Sequence, residues 1–321
     1  MTKKSIHWGI LGLGKMAGKF AADLNEVPDA KVQAVASRDE ARAEAFAQQF
    51  GATKAYADYT ALCADPTVDI VYVATPHSLH FAHAKLALEA GKAVLVEKPM
   101  TLSAAETQAL VDLAQRKKLF LMEAMWTRFI PATERLLEIL QSGQIGYIVR
   151  LTADFGFRPA FKAEHRLFNP QLGGGALLDI GIYPLYLSLL CLGTAQGFSV
   201  DYHLGPTGVD LSSTIKLNYR SGAEAKLFSS FEEQTPTEAL IEGTQGWLKV
   251  HSRFHHSAKL TLSLAGYEEE ISLPFKGSGY VHEIEEVQRC LRNGELESPK
   301  HPGSASVQLA RELERIRKAF S

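Results

Sequence analysis

Hydrophobic and polar positions follow two different rhythms along this chain. Residues 5 to about 123 alternate short, almost wholly apolar runs with longer stretches of helical periodicity. The runs are IHWGIL (6–11), KVQAVAS (31–37), VDIVYVAT (68–75), KAVLVEK (92–98) and LFLMEA (119–124). A strand that is apolar on both faces must be covered on both faces, so this half predicts a parallel sheet wrapped by helices. Ser103, three residues ahead of Glu106, makes a capping box for a helix through Gln115.

From about 124 the rhythm changes. A helix at 131–141, ended by Gly143, gives way to a series of β-type runs at 145–157, 209–219, 223–232, 238–244, 246–252 and 259–264. A glycine-led helix at about 175–192 covers one face of the resulting sheet and leaves the other open to a second copy. Helices at 280–292 and 304–320, the last capped by Ser304, close the chain. The expected fold class is α/β: a doubly wound parallel sheet over 1–123, then an α+β domain over 124–321 with a large, mostly antiparallel open sheet. The C-terminal helices are free to pack back on the first domain.

Length and composition sharpen this picture. At 321 residues the chain exceeds the size at which one core stops growing, which also argues for two domains. With 46% hydrophobic and 22% charged residues, disorder and coiled coil are excluded. A formal charge of -2 and a pI near 6.6 leave no electrostatic footprint for nucleic acid or an anionic membrane, so the expected partners are small molecules. Cys63, Cys191 and Cys290 are far apart and odd in number, which fits a reducing compartment. The start, MTKKSIHWGILGLGKM, is basic and then apolar, but glycines break the apolar part and Lys15 and Lys19 follow it instead of a cleavage site. No other apolar run reaches the roughly 18 to 20 residues that span a bilayer. A cytoplasmic protein is expected.

Between the first strand and the first helix stands Gly12-x-Gly14-x-x-Ala17, with Lys15 and Met16 inside the motif. Glycine permits a tight turn and the close approach of a pyrophosphate, Ala17 lets helix and strand pack closely, and the helix N-terminus faces the anion. These features mark 1–123 as a dinucleotide-binding, Rossmann-type domain. The second strand ends in VASRD, where an NAD site usually carries an acid; Arg38 suits a 2′-phosphate and Ser37 can donate to it, so NADP is preferred, with NAD still possible. Ser37 also forms a capping box with Glu40, and the two roles are compatible. In VEKPM, Glu97, Lys98 and Pro99 sit at the carboxyl end of a strand, where open α/β sheets bind ligands, and Pro99 holds Lys98 extended.

These motifs, with ATPHSLH and GGGALLDIGIY following in order, resemble the glucose-fructose oxidoreductase / inositol dehydrogenase (Gfo/Idh/MocA) family. ASRD, MEAMWTRFIP and GGGALLDIGIYP are most similar to its branch of dimeric trans-dihydrodiol dehydrogenases and NADP-dependent D-xylose dehydrogenases. His77 departs from the commoner asparagine, and Tyr183 replaces a common histidine as it does in that branch. The resemblance implies a catalytic Lys98, a helix acid Asp179 and a proton-transferring Tyr183. It also implies cofactor contacts from Thr75, Pro76, His77, His80, Glu97, Lys98, Trp126 and Arg128. Phe155, Phe157 and Arg166, with Asp179 and Tyr183, are expected to shape the substrate pocket. Gly173 to Gly175 would let backbone pass close to nicotinamide or substrate. His77, His80 and His83 have the spacing of a metal site but no carboxylate or cysteine to complete it, and His255-His256 reads as a loop pair; no metal is expected.

The expected function is hydride transfer between NADP and a hydroxyl or carbonyl carbon of a small polyhydroxylated substrate, an aldose such as D-xylose or a trans-dihydrodiol. The expected assembly is a homodimer, or a dimer of dimers, through the C-terminal sheet. Two alternatives use the same fold: an NAD-dependent glycosidase with transient redox chemistry, and a cofactor-sensing regulator without turnover.

Overall fold

The computed structural model describes residues 5–320, and the chain divides into two compact units. The first holds the described residues through Arg128 together with Lys276–Arg311. Its elements begin with β1 (Ile6–Leu11), α1 (Lys15–Asn25), β2 (Ala30–Ala36), α2 (Glu40–Phe50), β3 (Lys54–Tyr56) and α3 (Tyr59–Ala64). They continue with β4 (Ile70–Val73), α4 (His80–Glu89), β5 (Ala93–Glu97), α5 (Ala104–Lys117) and β6 (Leu121–Ala124). The six strands are parallel, in the order β3-β2-β1-β4-β5-β6. Every residue of β4, β5 and β6 is buried, which is why those stretches read as unbroken apolar runs. Strand order reverses between β1 and β4, and the chain leaves both at their carboxyl ends, opening the crevice where such sheets take ligands. Three-residue β3 is too short to show a pattern in sequence.

The second unit comprises Phe129–Phe275 and the chain from Glu312 onward. Its elements are α6 (Pro131–Gln141), β7 (Ile148–Gly156), α7 (Ile182–Leu192), β8 (Gly197–Leu204), β9 (Asp210–Asn218) and β10 (Glu224–Ser230), then β11 (Ala239–Gly243), β12 (Gly246–Val250), β13 (Lys259–Leu264) and β14 (Tyr267–Ser272). They form an eight-stranded sheet in the order β14-β13-β12-β11-β7-β10-β9-β8. All neighbours are antiparallel except β7 with β10. The two strands that the sequence pattern missed are its edges. β14 reads YEEEIS and β8 is half polar, and charge on an edge strand blocks pairing with other chains while erasing the apolar signature. α7 packs on β7 and β10. The stretch Pro170–Leu192 is long and apolar enough to cross a membrane, which qualifies the expectation that no such run exists; most of it is buried inside the protein, as in a core helix.

The chain closes with α8 (Val281–Asn293) in the first unit and α9 (Gly303–Arg317), whose residues from Glu312 belong to the second. Two caps differ from expectation. α9 starts at Gly303, so Ser304 lies inside the helix rather than capping it. α2 is capped by Asp39, whose carboxylate accepts from the Arg42 amide, while the Ser37 hydroxyl accepts from the Asp39 amide two residues on. An extended residue directly before Glu40 serves as the cap, and Ser37 is two positions too early to reach the first turn.

Candidate active site

The turn from β1 to α1 is built for bare backbone. Gly12 has φ 85, and a Cβ there would lie 2.9 Å from the Ala74 carbonyl oxygen and 2.7 Å from Thr75 Cγ2. Gly14 differs: its backbone is extended, and among the described residues nothing beyond its own stretch of chain lies within 4 Å of where its Cβ would stand. It is the N-cap of α1 and, having no side chain, makes no capping bond of its own, which suits a helix start that receives an anion. Ala17 is fully buried, Lys15 exposed, and Met16 accepts from the Tyr280 hydroxyl at 3.8 Å. A pyrophosphate fits this turn. At the tip of β2, Ser37 is buried and Arg38 exposed. The positive charge of Arg38 acts on His83, whose pKa is lowered first by burial and then by that charge.

One histidine joins the loops that follow β4 and β5. His80 is fully buried at the start of α4; its Nε2 lies 2.8 Å from the Thr75 carbonyl oxygen and its Nδ1 2.8 Å from that of Pro99. Burial lowers its pKa to about 4, so near neutrality the ring carries one N–H and donates to one carbonyl at a time. Thr75 is also held through its hydroxyl, 3.0 Å from His83 Nδ1; the single turn His77–Leu79, preceded by Pro76, lies between it and α4. Glu97 is equally committed: one carboxylate oxygen accepts from the Tyr72 hydroxyl and the other from the Lys98 amide at 3.2 Å. The Lys98–Pro99 peptide is cis, and Lys98 is 8% exposed. Trp126 stacks on Tyr280 with centroids 4.6 Å apart and planes 11° apart, and Arg128 Nε donates to the Lys300 carbonyl at 3.0 Å.

In the second unit, the run of glycines meets its own chain. Gly173 has φ 76, and a Cβ on Gly174 would lie within 2.8 to 3.0 Å of the carbonyl oxygens of Leu167, Asn169 and Arg166. Gly175 has φ 118 and sits against the Asp210 carboxylate, which accepts from the Leu177 amide at 2.6 Å. The close approach seen at Gly174 and Gly175 is to backbone carbonyls and a capping acid. Burial raises the pKa of Asp210 to about 6, against the pull of that amide bond. The chain then makes one π-helical turn, Leu177–Gly181, before α7, an irregularity that recurs at functional sites. Asp179, on that turn, bonds Arg166 NH1 at 2.9 Å. Tyr183, 6% exposed, packs against Phe155 at 5.9 Å and His255 at 4.8 Å, while Phe157 lies 6.4 Å from Phe155.

Residues 6–125 match the GFO_IDH_MocA oxidoreductase family with its NAD-binding Rossmann fold, and residues 133–249 match the GFO/IDH/MocA C-terminal domain. This chain belongs to the GFO/IDH/MocA family. Among its relatives, trans-1,2-dihydrobenzene-1,2-diol dehydrogenase of Mus musculus is 38% identical, covering 98% of this chain and 97% of that protein. The D-xylose 1-dehydrogenase (NADP(+)) of Hypocrea jecorina is 34% identical, covering 97% and 90%. The structure of KijD10, a 3-ketoreductase from Actinomadura kijaniata in complex with NADP and TDP-benzene, superposes with a TM-score of 0.89 at 28% identity over 98% of each chain.

Two residues that support this GFO/IDH/MocA site escaped the sequence reading. Arg42, on the first turn of α2, donates from Nε at 3.1 Å and from NH2 at 2.6 Å to the Leu13 carbonyl, fixing the glycine turn from outside; its only sequence signal is its place just past SRD. Asp210 begins β9, 33 residues from the amide it caps, and no local pattern could have joined them. Among the described residues no group of three or more His, Cys, Asp or Glu is placed to hold a metal ion.

Proposed function

We propose that this protein is an NADP-dependent oxidoreductase that moves a hydride between the nicotinamide and a hydroxyl or carbonyl carbon of a small polyhydroxylated substrate. Tyr183 transfers the proton, Lys98 tunes it and Asp179 orients the reacting groups. The single observation that carries the cofactor reading is Gly14: a glycine with an ordinary backbone and, among the described residues, open space where its Cβ would stand, at the N-cap of α1. Nothing among the described residues asks for glycine there, whereas a pyrophosphate does. The relatives support the rest, since they are dehydrogenases of a diol and of an aldose.

The nicotinamide supplies the redox chemistry; the protein supplies position and a path for the proton. A phenol, with an ordinary pKa of about 10, is a poor base near neutral pH, and a neighbouring ammonium favours its phenolate. Lys98 is suited to that task because Glu97 anchors its amide and His80, lying between the carbonyls of Thr75 and Pro99, donates to one of them. His80 and Glu97 are thus positioning residues in this reading. Asp179, held by Arg166, presents a fixed carboxylate to a substrate hydroxyl or to the lysine. Arg38 and Ser37 select NADP.

The assembly is a homodimer, or a dimer of dimers, formed through the sheet face opposite α7, where Thr152, Thr214, Phe228 and Leu240 line a groove. The compartment is the cytoplasm, in keeping with three free cysteines. The deciding experiment follows NADPH absorbance across sugars, polyols and diols with the wild type and Lys98→Met. Turnover falls by at least about a hundredfold in the variant while NADP still binds. Unchanged turnover removes Lys98 from the mechanism, and tight copurification of cofactor with aryl-glycoside cleavage and no net NADPH would favour the glycosidase reading instead.

A further inference from the structure

A histidine that the proton-transfer scheme does not use lies against Tyr183. His255 is 7% exposed, its ring stacks on Phe155 with centroids 4.5 Å and planes 17° apart, and its centroid is 4.8 Å from that of Tyr183. Phe155 alone meets the phenol at 5.9 Å with the planes tilted by 36°. The histidine fills the nearer side. We propose that His255 is a positioning residue for Tyr183, its flat ring clamped on Phe155 so as to hold the phenol in one orientation; this rests on the reading of Tyr183 as the proton-transferring group.

The backbone around His255 is built to keep it there. Its one-turn helix, Phe254–His256, is entered through Arg253 at φ 60, a left-handed conformation that costs energy in a residue with a side chain. Thr237, a β-branched residue, is likewise left-handed at φ 58, and its carbonyl accepts from the Phe254 amide at 3.0 Å. The Thr237 amide in turn donates at 2.7 Å to Asp154, the neighbour of Phe155 on β7. Strain of this kind persists only where surrounding structure over-determines it, and it clusters at functional sites. Here a continuous path of bonds, Asp154 to Thr237 to Phe254, locks the turn bearing His255 to the strand bearing Phe155. Both then face Tyr183 on α7. The role follows from ring shape: the imidazole lies nearly parallel to Phe155 and near Tyr183 as an aromatic plate, so phenylalanine at 255 preserves it and alanine does not.

Two measurements test this. In the first, protein labelled with 13C-tyrosine, with Tyr183 assigned through Tyr183→Phe, reports the rate at which the phenol ring flips. His255→Ala speeds flipping by at least about tenfold and His255→Phe leaves it within about twofold, as expected when packing fixes a side chain. The other uses NADP with the fastest substrate of the sugar, polyol and diol screen. His255→Ala lowers kcat by roughly tenfold or more with KM within about twofold, His255→Phe restores it, and the alanine penalty shrinks to under about twofold in a Tyr183→Phe background. An unchanged flip rate in His255→Ala overturns the proposal, as does a penalty that persists without the phenol or a His255→Phe as damaged as the alanine variant. The ring-flip rate needs no turnover, so a failure of the oxidoreductase reading, seen as absent turnover or full activity of Tyr183→Phe, is told apart from a failure of this one.

Discussion

Glycines cluster in both units of the molecule, identical as letters, and they answer to opposite demands. Gly14 stands where nothing touches it; Gly174 and Gly175 stand where their own chain presses against them. A Cβ at Gly14 would meet only whatever binds from outside, while one at Gly174 would meet three carbonyl oxygens and one at Gly175 a capping carboxylate. Bare backbone after β1 makes room for a guest. Ahead of α7 it closes the loop carrying Arg166 onto the turn carrying Asp179. Motif and function are thus separated by one question, which is whose atoms occupy the space a side chain would take.

Substitution at Gly175 tests the latter half of that contrast and has the largest expected effect. Gly175→Ala forces a side chain onto φ 118 and against Asp210. Backbone strain and overpacking together cost on the order of 3 kcal/mol or more, enough to appear as a lowered denaturation midpoint before any activity is measured. If the variant melts with the wild type and loses only substrate binding, the glycine run does face a ligand and the contrast fails.

Gly14→Ala tests the other half. The backbone there is one that alanine adopts freely and the added methyl meets no protein atom, so stability changes by less than about 0.5 kcal/mol while the Kd for NADP rises about tenfold, near 1.4 kcal/mol. Calorimetric titration beside a thermal melt reads both quantities. An NADP affinity equal to the wild type's would mean that nothing approaches this turn.

How much of this could be read from the letters depends on how local the cause is. The parallel sheet was legible because burial on both faces leaves an unbroken apolar run, as in β4 and β5. The edge strands β8 and β14 were not, because protecting an edge means replacing that signal with charge. At the site, the glycine turn and the strand-end lysine carry short, self-contained signatures. The cap that Asp210 places on Leu177 and the chain from Asp154 to His255 span tens of residues and exist only once the sheet has formed. Ser37 shows a middle case: a capping box fits the sequence, but Asp39, closer to the first turn, takes the bond.

Arg38 sharpens the cofactor side of the comparison with a smaller effect. The guanidinium is exposed at the tip of β2, with the side chains of Thr75 and His83 bonded to each other nearby. Arg38→Ala weakens NADP by about tenfold and NAD by less than about twofold, because only NADP carries the 2′-phosphate. Parallel titrations of the two nucleotides check it; equal weakening would assign Arg38 to the part of the cofactor that both share.

The smallest effect concerns a group that neither set of glycines touches. Glu283, on α8, is fully buried, and neither of its carboxyl oxygens has a hydrogen-bond partner among the described residues. Burial above all, then the charges of Glu97 and Asp23, push its pKa well above 4.5. The folded state therefore keeps a proton that the unfolded chain releases. Below the ordinary carboxylate pKa both states hold it and pH has no effect through this group; as pH rises past that value the unfolded state is favoured, and stability falls until the folded carboxyl also ionises. Glu283→Gln removes that slope. The variant melts like the wild type near pH 4.5 and is more stable near pH 8, by an amount on the order of 1 kcal/mol that the cost of burying an amide limits. Two melting curves that run parallel from pH 4.5 to 8 would show that Glu283 is ionised in the folded protein and that a cation or water reaches it in solution.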